Sequence, residues 1–292
     1  MLRLRPPMEP KTLAVLSVHY RYPALLQDQA RRLRVCAAPL RQALGVELRH
    51  YPVLHSESEP DVAAEALAWG EHVDLRDRAD LKPAHGPSLT EAFRQLRKEG
   101  LQAGDLVAVM DHDAHPLDAG LFAEAARALL AGQDRADLAG IGIPQWHRGH
   151  CYLHPSFLLT RAGLVDAMTP EQAFLAQRWP DGRLRWDTAE GFTEWCEDNR
   201  RSMHAMRVES TGFPWPRWDS QMVPGGGTRL TGEHGEPVQV GNLMRYGLVA
   251  GRPLLSHVWA APLTSRYFSD HDPEEVLAAY LAEPMAVPGG NG

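Results

Sequence analysis

The stretch Asp105-Leu-Val-Ala-Val-Met-Asp-His-Asp113 decides how this chain folds. The apolar run from Leu106 to Met110 contains two valines and has acidic residues on both sides, which predicts a short buried strand. Asp111 and Asp113 follow this strand at once, with only His112 between them. Two carboxylates directly behind a buried strand predict a polar site at the end of a sheet.

Predicted strands and helices alternate along the chain on both sides of this stretch. The strands are expected over 12–18, 46–53, 105–110 and 138–143, and the helices over 23–44, 61–69, 87–98 and 118–130. This alternation predicts an α/β fold with a doubly wound, mostly parallel sheet flanked by helices. Ligands of such sheets bind beyond the carboxyl ends of the strands, which is where Asp111 and Asp113 lie.

The composition is that of an ordinary globular protein. Hydrophobic residues make up 44% of the 292 residues, and charged residues 23%. The formal net charge of −7 argues against a general nucleic-acid binder, because no basic excess is present to neutralise phosphates. The three cysteines are widely spaced and odd in number, so no disulfide framework is implied.

The sequence predicts a cytoplasmic protein. Met1–Pro10 has arginines but lacks the apolar stretch of a secretory signal. No apolar run approaches the roughly 20 residues that a membrane helix needs, so we expect no transmembrane segment. Peripheral attachment to a membrane stays open as an alternative.

Three parts are expected along the chain. Residues 1–145 form the half that ends in the Asp-His-Asp region, and 146–265 form a less regular half that is rich in Trp, His, Gly and Pro. Residues 266–292 are expected to contain a terminal helix over 273–282 and a frayed tail from Glu283. The glycine-rich stretch 224–237 is too long for a tight turn and is a candidate mobile lid.

The close spacing of the two carboxylates in the Asp-His-Asp triplet favours a bound cation. Like charges held close together repel, and each raises the pKa of the other unless a cation lies between them. Mg²⁺ and similar ions take oxygen ligands and commonly use one or two carboxylates together with substrate phosphates. We therefore interpret Asp111 and Asp113 as ligands of Mn²⁺ or Mg²⁺. The alternative is a solvated loop in which Asp113 or Asp118 caps the next helix.

A resemblance to a known family rests on two segments of the sequence, His85-Gly-Pro-Ser-Leu-Thr-Glu-Ala-Phe93 and Gly104-Asp-Leu-Val-Ala-Val-Met-Asp-His-Asp-Ala-His-Pro116. Together they resemble family 2 glycosyltransferases of the GT-A type, in which a glycine-containing helix start, a helix, a Gly-Asp turn and a hydrophobic strand precede an Asp-x-Asp motif. The similarity extends more loosely over 13–157 and includes His154-Pro-Ser-Phe157 as a strand on the acceptor side. The family's Asp-Asp-x-Ser after the second strand is absent, since the chain reads His50-Tyr-Pro-Val-Leu-His-Ser56 there.

The resemblance implies a transferase of the hexosyltransferase type. Its donor would be a UDP- or GDP-type nucleotide sugar bound by residues 1–145, and its acceptor a carbohydrate or other hydroxyl compound bound by 146–265. The resemblance also implies that a late histidine, His257, adds a metal ligand or a diphosphate contact. The alternative for each implied residue is an ordinary loop, strand-end or core position. The implied donor contacts are Ser17, His19, Tyr20, Asp74, His85, Gly86, Asp111 and His112.

An inverting transfer needs a carboxylate that takes the proton of the acceptor hydroxyl. The resemblance places this base in the acidic cluster Trp186-Asp-Thr-Ala-Glu190, which Glu194 extends. We favour Asp187 as the base over Glu190 and Glu194. Asp187 is equally suited to cap a helix over 188–196, and Glu190 and Glu194 to form the polar face of that helix.

Three other functions stay open at this point. A sugar nucleotidyltransferase usually has a Gly-rich signature with Arg or Lys after its first strand, where this chain reads Ser17-Val-His-Tyr-Arg21. A metal-dependent phosphohydrolase could be built on Asp111, Asp113 and His115. A carbohydrate-binding protein with an inactive GT-A fold would bind metal and nucleotide without turning over a donor.

Overall fold

The computed structural model describes residues 9–82, 84–130, 138–145, 150–178, 180, 184–186, 188–211, 229–231, 237–239, 243–248, 252–258, 277–278 and 280–286. Asp187 and most of the glycine-rich stretch 224–237 lie outside these residues. The roles predicted for them, as base and as lid, therefore stay predictions.

The first half of the chain alternates strands and helices as predicted, with ends that differ by at most three residues from the predicted ones. In chain order, the elements are β1 (Thr12–His19), α1 (Pro23–Leu44), β2 (Glu47–Leu54), α2 (Pro60–Trp69), β3 (Val73–Asp74), α3 (His85–Lys98), β4 (Leu106–Met110), β5 (Ala114–Pro116), α4 (Leu121–Leu130), β6 (Leu138–Gln145), β7 (His150–Arg161), α5 (Ala162–Met168), α6 (Pro170–Phe174), β8 (Gln177–Arg178), β9 (Leu184–Trp186), α7 (Gly191–Asp198), β10 (Met203–Thr211), β11 (Arg229–Thr231), β12 (Pro237–Gln239), β13 (Leu243–Gly247) and β14 (Leu255–Val258).

Ten strands form one large sheet in the order β3-β2-β1-β4-β7-β6-β10-β13-β14-β5. The neighbours β3, β2, β1 and β4 are parallel, and so are β6 and β10. β7 is antiparallel to both β4 and β6, and β13, β14 and β5 continue the sheet as antiparallel neighbours. Most strands thus run in the direction of β1, and the sheet continues across the predicted boundary between residues 145 and 146.

Helices cover both faces of the sheet because the central strands are apolar on both sides. Leu13 and Val15 of β1 face a cluster to which α1 and α4 contribute. Ala14 and Leu16, which point the other way, face a second cluster formed with α3, α5, α6 and α7. This arrangement confirms the predicted α/β fold with helices on both sides of a mostly parallel sheet. Among the described helices, none has both the length and the hydrophobicity needed to cross a membrane.

Helix α1 carries polar side chains on its buried side. Asp28, Gln29 and Arg32 are 7%, 1% and 0% exposed. Asp28 accepts a hydrogen bond of 2.7 Å from Arg32 and lies 3.0 Å from Nδ1 of His115 on β5. Burial by itself raises the pKa of Asp28, but the hydrogen bond from His115 and the charges of His115 and Arg32 lower it to about 2. A buried ionic cluster therefore joins α1 to β5.

The C-terminal segment is held against the same region of the fold. Residues 277, 278, 280 and 281 are helical, within the predicted terminal helix. The sequence predicts fraying from Glu283, but the chain is hydrogen-bonded as far as Ala286. Arg32 donates to the carbonyl of Glu283 at 2.5 Å, and Ala286 exchanges backbone hydrogen bonds with Leu117 and Ala119. The difference arises because the buried guanidinium of Arg32 requires carbonyl acceptors, and the tail supplies one.

We expect that Asp28→Asn lowers the free energy of unfolding by about 3 kcal/mol at pH 7, because it leaves the buried guanidinium of Arg32 without its carboxylate. The pKa of Asp28 is lower in the folded than in the unfolded chain, so its stabilisation is present above about pH 4 and is lost as the pH falls toward 2. Urea unfolding should therefore show a smaller difference between the variant and the wild type at pH 3 than at pH 7.

The matched control is Asp166→Asn, which removes the exposed ion pair of Asp166 with Arg97. It should change stability by less than about 1 kcal/mol. A difference for Asp28→Asn that is the same at both pH values would contradict the assigned ionisation.

Candidate functional site

The Asp-His-Asp triplet forms the turn between β4, which ends at Met110, and β5, which begins at Ala114. β5 pairs antiparallel with β14, and this register places His257 opposite Ala114. The pairing therefore brings a histidine from the end of the chain to two carboxylates from its first half.

Asp111, Asp113 and His257 form a candidate metal site. One ligand atom from each residue lies within 4.8 Å of the other two. Nε2 of His257 is 3.4 Å from Oδ1 of Asp113 and 3.9 Å from Oδ2 of Asp111. Carboxylate oxygens and an imidazole nitrogen that converge in this way suit a divalent ion such as Mn²⁺, and the carboxylates also suit Mg²⁺. The three residues predicted as ligands are thus brought together.

The surroundings of Asp113 favour its charged form. Burial by itself raises the pKa of this carboxyl group, but the neighbouring His112 and His257 outweigh burial, and the net direction is down. Asp111 acts in the opposite sense, because its charge repels that of Asp113. At neutral pH the site therefore offers ionised oxygen to a cation.

Ser156 connects two of the three candidate ligands. It lies on β7, next to Phe157, which pairs with Met110 at the end of β4. Its hydroxyl donates to Oδ2 of Asp111 at 2.8 Å and lies 3.2 Å from Nε2 of His257. Ser156 is 0% exposed, so this contact orients the Asp111 carboxylate from the protein side. The sequence pattern places Ser156 on a strand but assigns it no role.

Rings surround the triplet on the side of β1. The ring of His112 lies 4.9 Å from that of Tyr20 and 6.3 Å from that of His85, measured between centroids. Nδ1 of His85 is 3.4 Å from Oδ1 of Asp111. Tyr20 also stacks on His55 at 5.9 Å with an interplanar angle of 26°. Tyr20, His85 and His112 are therefore grouped with the candidate metal ligands at the carboxyl ends of β1 and β4.

Ser17 and His19 lie inside β1 rather than in the loop that follows it, and both are 0% exposed. Oγ of Ser17 is 2.9 Å from Nε2 of His19 and 2.7 Å from Nε2 of His50. Burial lowers the pKa of both histidines, that of His50 to about 3, so their rings are uncharged at neutral pH. Among the three donor contacts expected from this segment, Tyr20 is the one with exposed surface.

Gly86 and Asp74 have visible structural partners. A Cβ at Gly86 would lie 2.8 Å from the carbonyl oxygen of Phe174, so this glycine lets α3 pack closely against the end of α6. Asp74 at the end of β3 accepts hydrogen bonds of 2.6 and 2.9 Å from Arg76. These bonds are the largest cause of its lowered pKa.

Two of the three candidate bases belong to the described residues. Glu190 directly precedes α7 and is 1% exposed, and Glu194 lies one turn later with part of its side chain exposed. Oγ1 of Thr193 accepts a 2.9 Å hydrogen bond from the backbone N–H of Leu153, which lies on the same strand as Ser156. The start of α7 is therefore packed beside β7, the strand that orients Asp111.

His115 is not grouped with the candidate metal ligands. Its Nδ1 faces Asp28 at 3.0 Å, and its Nε2 faces Glu283 at 3.3 Å. Its ring stacks on that of Tyr280, with a centroid distance of 4.1 Å. The environment of His115 is thus the ionic cluster that joins α1, β5 and the C-terminal segment.

No family profile and no curated protein matches the sequence. The chain is similar to the solved structure of the mannosyltransferase PcManGT from Pyrobaculum calidifontis in complex with GDP-Man and Mn²⁺, with a TM-score of 0.41 and 13% identity over 56% of this chain and 48% of that one. It is also similar to the galactosyltransferase LgtC in complex with donor and acceptor sugar analogs, with a TM-score of 0.46 and 14% identity over 95% and 98% of the two chains. A third similar structure is 4-diphosphocytidyl-2C-methyl-D-erythritol synthase from Anaerococcus prevotii, with a TM-score of 0.39 and 10% identity over 66% and 86%.

The chain thus spans about half the length of the mannosyltransferase. Two of the three structures are named glycosyltransferases, as is a further similar structure, a glycosyltransferase involved in glycosylation of the major capsid of PBCV-1. At these identities and TM-scores, the structural similarity assigns no activity to this chain.

We expect that His257→Ala weakens Mn²⁺ binding by about tenfold or more, because it removes the one nitrogen ligand of the group. Binding is measured on the purified chain from the electron paramagnetic resonance signal of free Mn²⁺. The matched control is His204→Ala, since His204 is exposed on β10. The Mn²⁺ affinity of this variant should equal that of the wild type. Equal affinities for all three proteins would remove His257 from the site.

Proposed function

We propose that this protein is a metal-dependent glycosyltransferase. It moves a sugar, of the hexose type, from a UDP- or GDP-type donor to a hydroxyl group of an acceptor. The observation that carries the proposal is the convergence of Asp111, Asp113 and His257 beyond the carboxyl end of β4. Ligands of doubly wound sheets bind at this edge. A diphosphate is a ligand that needs a divalent cation there.

In the proposed enzyme, Asp111, Asp113 and His257 hold Mn²⁺ or Mg²⁺. A divalent ion at this position supplies positive charge that stabilises a diphosphate leaving group. The protein's own part is to keep the two carboxylates ionised and fixed. Ser156 does this by donating a hydrogen bond to Asp111.

The residues proposed to bind the donor differ in exposure, and therefore in the contacts that they can make with it. Tyr20 offers a partly exposed aromatic face on which a nucleobase can stack. The side chain of His85 is 32% exposed and adjoins Asp111, so its ring can donate to a phosphate oxygen. His112 is buried with a lowered pKa, so it forms an uncharged wall. Ser17 and His19 support this wall from the core.

Asp74 and Gly86 complete the proposed donor side. Asp74 lies at the end of β3, and β2 separates this strand from β1. A nucleotide that lies along the carboxyl ends of the strands would pass over β2 before it reached Asp74. Gly86, in the first turn of α3, allows the approach of that turn to α6 and so sets the position of His85.

We propose Asp187 as the base that takes the acceptor proton, with Glu190 and Glu194 as the alternatives. The support is the need for a carboxylate on the acceptor side and the packing of α7 against β7. Glu190, at 1% exposure, would require the acceptor to reach into the protein interior.

The competing activities can be distinguished by the contacts of His115 and by their products. A phosphohydrolase built on His115 is disfavoured, since both ring nitrogens of His115 face carboxylates of the ionic cluster. With a nucleotide sugar, Mn²⁺ and an acceptor, a glycosyltransferase releases a nucleoside diphosphate. A nucleotidyltransferase acting in reverse requires pyrophosphate and releases a nucleoside triphosphate. A binding protein with an inactive fold releases neither product.

Binding of UDP or GDP is expected to depend on a divalent metal and on Asp113, since the metal joins the diphosphate to the carboxylates. Calorimetry should detect binding with Mn²⁺ and none with EDTA, and Asp113→Ala should lose the metal-dependent binding. Glu99→Ala is the control, because Glu99 is an exposed acidic residue at the end of α3 opposite to His85. Equal nucleotide affinity with Mn²⁺ and with EDTA would show that the metal has no part in donor binding.

Asp187→Asn is expected to reduce the rate of transfer by about 10²–10⁴, the usual contribution of a general base. Asn keeps the size of the side chain and its ability to cap a helix, so nucleotide affinity and melting temperature should stay near those of the wild type. Glu190→Gln and Glu194→Gln are the matched variants for the alternatives. Robust turnover by Asp187→Asn together with a collapse in one Gln variant would move the role to that residue.

A further inference from the structure

Gln29 is a buried amide on the side of α1 that packs against the sheet. It lies three residues after Leu26 and four before Leu33, which are both buried. Gln29 itself is 1% exposed. An amide that is buried without hydrogen bonds costs free energy, so its contacts show what it does in the fold.

The NH₂ group of Gln29 binds both ends of the turn that carries the candidate metal ligands. Its Nε2 donates to the carbonyl oxygen of Asp111 at 2.8 Å and to that of Ala114 at 2.9 Å. The backbone N–H of Ala114 also donates to the carbonyl of Asp111 at 3.1 Å. One side chain thus spans the turn and fixes the separation of its two ends.

The direction of this amide follows from its partners. Only the NH₂ end can face two carbonyl oxygens, so Oε1 of Gln29 faces His19, whose Nε2 lies 3.2 Å away. Nε2 of His19 must then carry the ring proton. Because burial and neighbouring histidines lower the pKa of His19, its ring is neutral and Nδ1 is unprotonated.

The hydrogen-bonded side chains continue from His19 into the core. The same Nε2–H group of His19 also lies 2.9 Å from Oγ of Ser17, and this hydroxyl is 2.7 Å from Nε2 of His50. The result is a continuous polar chain from β2 through β1 to the turn. His50, the most exposed of its members, is only 3% exposed, so water cannot easily replace them.

We propose that Gln29 is a positioning residue of the metal centre. It holds the turn at one width, so that the carboxylates of Asp111 and Asp113 face His257, and it touches neither the metal nor the substrate. The buried side chains of His19 and Ser17 keep Gln29 in this position. The inference rests on the metal-binding function proposed above.

Two other side chains also bind backbone carbonyl groups of the turn and of β5. The hydroxyl of Tyr280 donates to the carbonyl of Asp113 at 2.7 Å, and Arg32, one helical turn after Gln29, donates to that of Pro116 at 3.0 Å. Gln29 differs from both in binding a carbonyl at each end of the turn, those of Asp111 and Ala114. Its removal should therefore change the shape of the turn most directly.

The test is Mn²⁺ affinity, measured on the full chain by electron paramagnetic resonance or calorimetry at a temperature at which circular dichroism shows the variant folded. Gln29→Met keeps the length of the side chain and removes both donors. We expect its Mn²⁺ affinity to fall by about tenfold or more, as is usual when residues that support metal ligands are removed. Gln29→Asn keeps an amide that is too short to reach both carbonyls, and it should also bind more weakly.

The matched control is Leu40→Ala on the same helix, which opens a cavity in the core and should lower the melting temperature at least as much as Gln29→Met. Its Mn²⁺ affinity should stay within about twofold of the wild type. An unchanged affinity in whichever Gln29 variant folds, or an equal loss in Leu40→Ala, overturns the positioning role. A wild-type chain that binds no Mn²⁺ overturns the proposed metal centre itself, which is a different result.

Discussion

Two carboxylates with like charge share one poorly solvated place in this protein, and this constraint organises what surrounds them. The side chains of Asp111 and Asp113 are 14% and 10% exposed, and both approach Nε2 of His257. Such an arrangement is costly unless a cation or hydrogen-bond donors offset the repulsion. The structure provides donors from several elements, among them the hydroxyl of Ser156 on β7. Together with His257, the two carboxylates form a converging set of ligand atoms that suits a divalent ion.

The fold explains why the site lies where it does. β1 and β4 are buried on both faces, so polar groups can gather only at their ends. At the carboxyl ends, the chain turns from β4 into β5, and α1 and the C-terminal segment pack against that turn through Gln29, Arg32 and Tyr280. Each of these buried polar groups binds a backbone carbonyl of the turn or of β5, which offsets the cost of its burial. A single connected set of contacts therefore runs from the core to the ligand atoms.

The elements with strong local patterns could be predicted from sequence. The run Leu106–Met110, the alternation of helices and strands, and the full extent of α1 all follow from apolar spacing and end signals. The antiparallel insertion of β7 between β4 and β6 could not be predicted, because it depends on pairing between distant segments. For the same reason, His257 could be named as a candidate only through the family resemblance, and its place opposite Ala114 needed the register of β14. The buried polar residues of α1 stand within an apolar stripe, and their purpose becomes visible only when β5 is placed beside them.

The central claim is that one divalent ion binds between the Asp111–Asp113 turn and His257 on β14. Crystals grown with Mn²⁺ and a nucleoside diphosphate test it directly through the anomalous signal of manganese. The account predicts one strong peak at about 2.0–2.3 Å from a carboxylate oxygen of Asp111 or Asp113 and from Nε2 of His257, with diphosphate oxygens completing the coordination. A peak at other residues, or a bound nucleotide with no metal at the triplet, would contradict it.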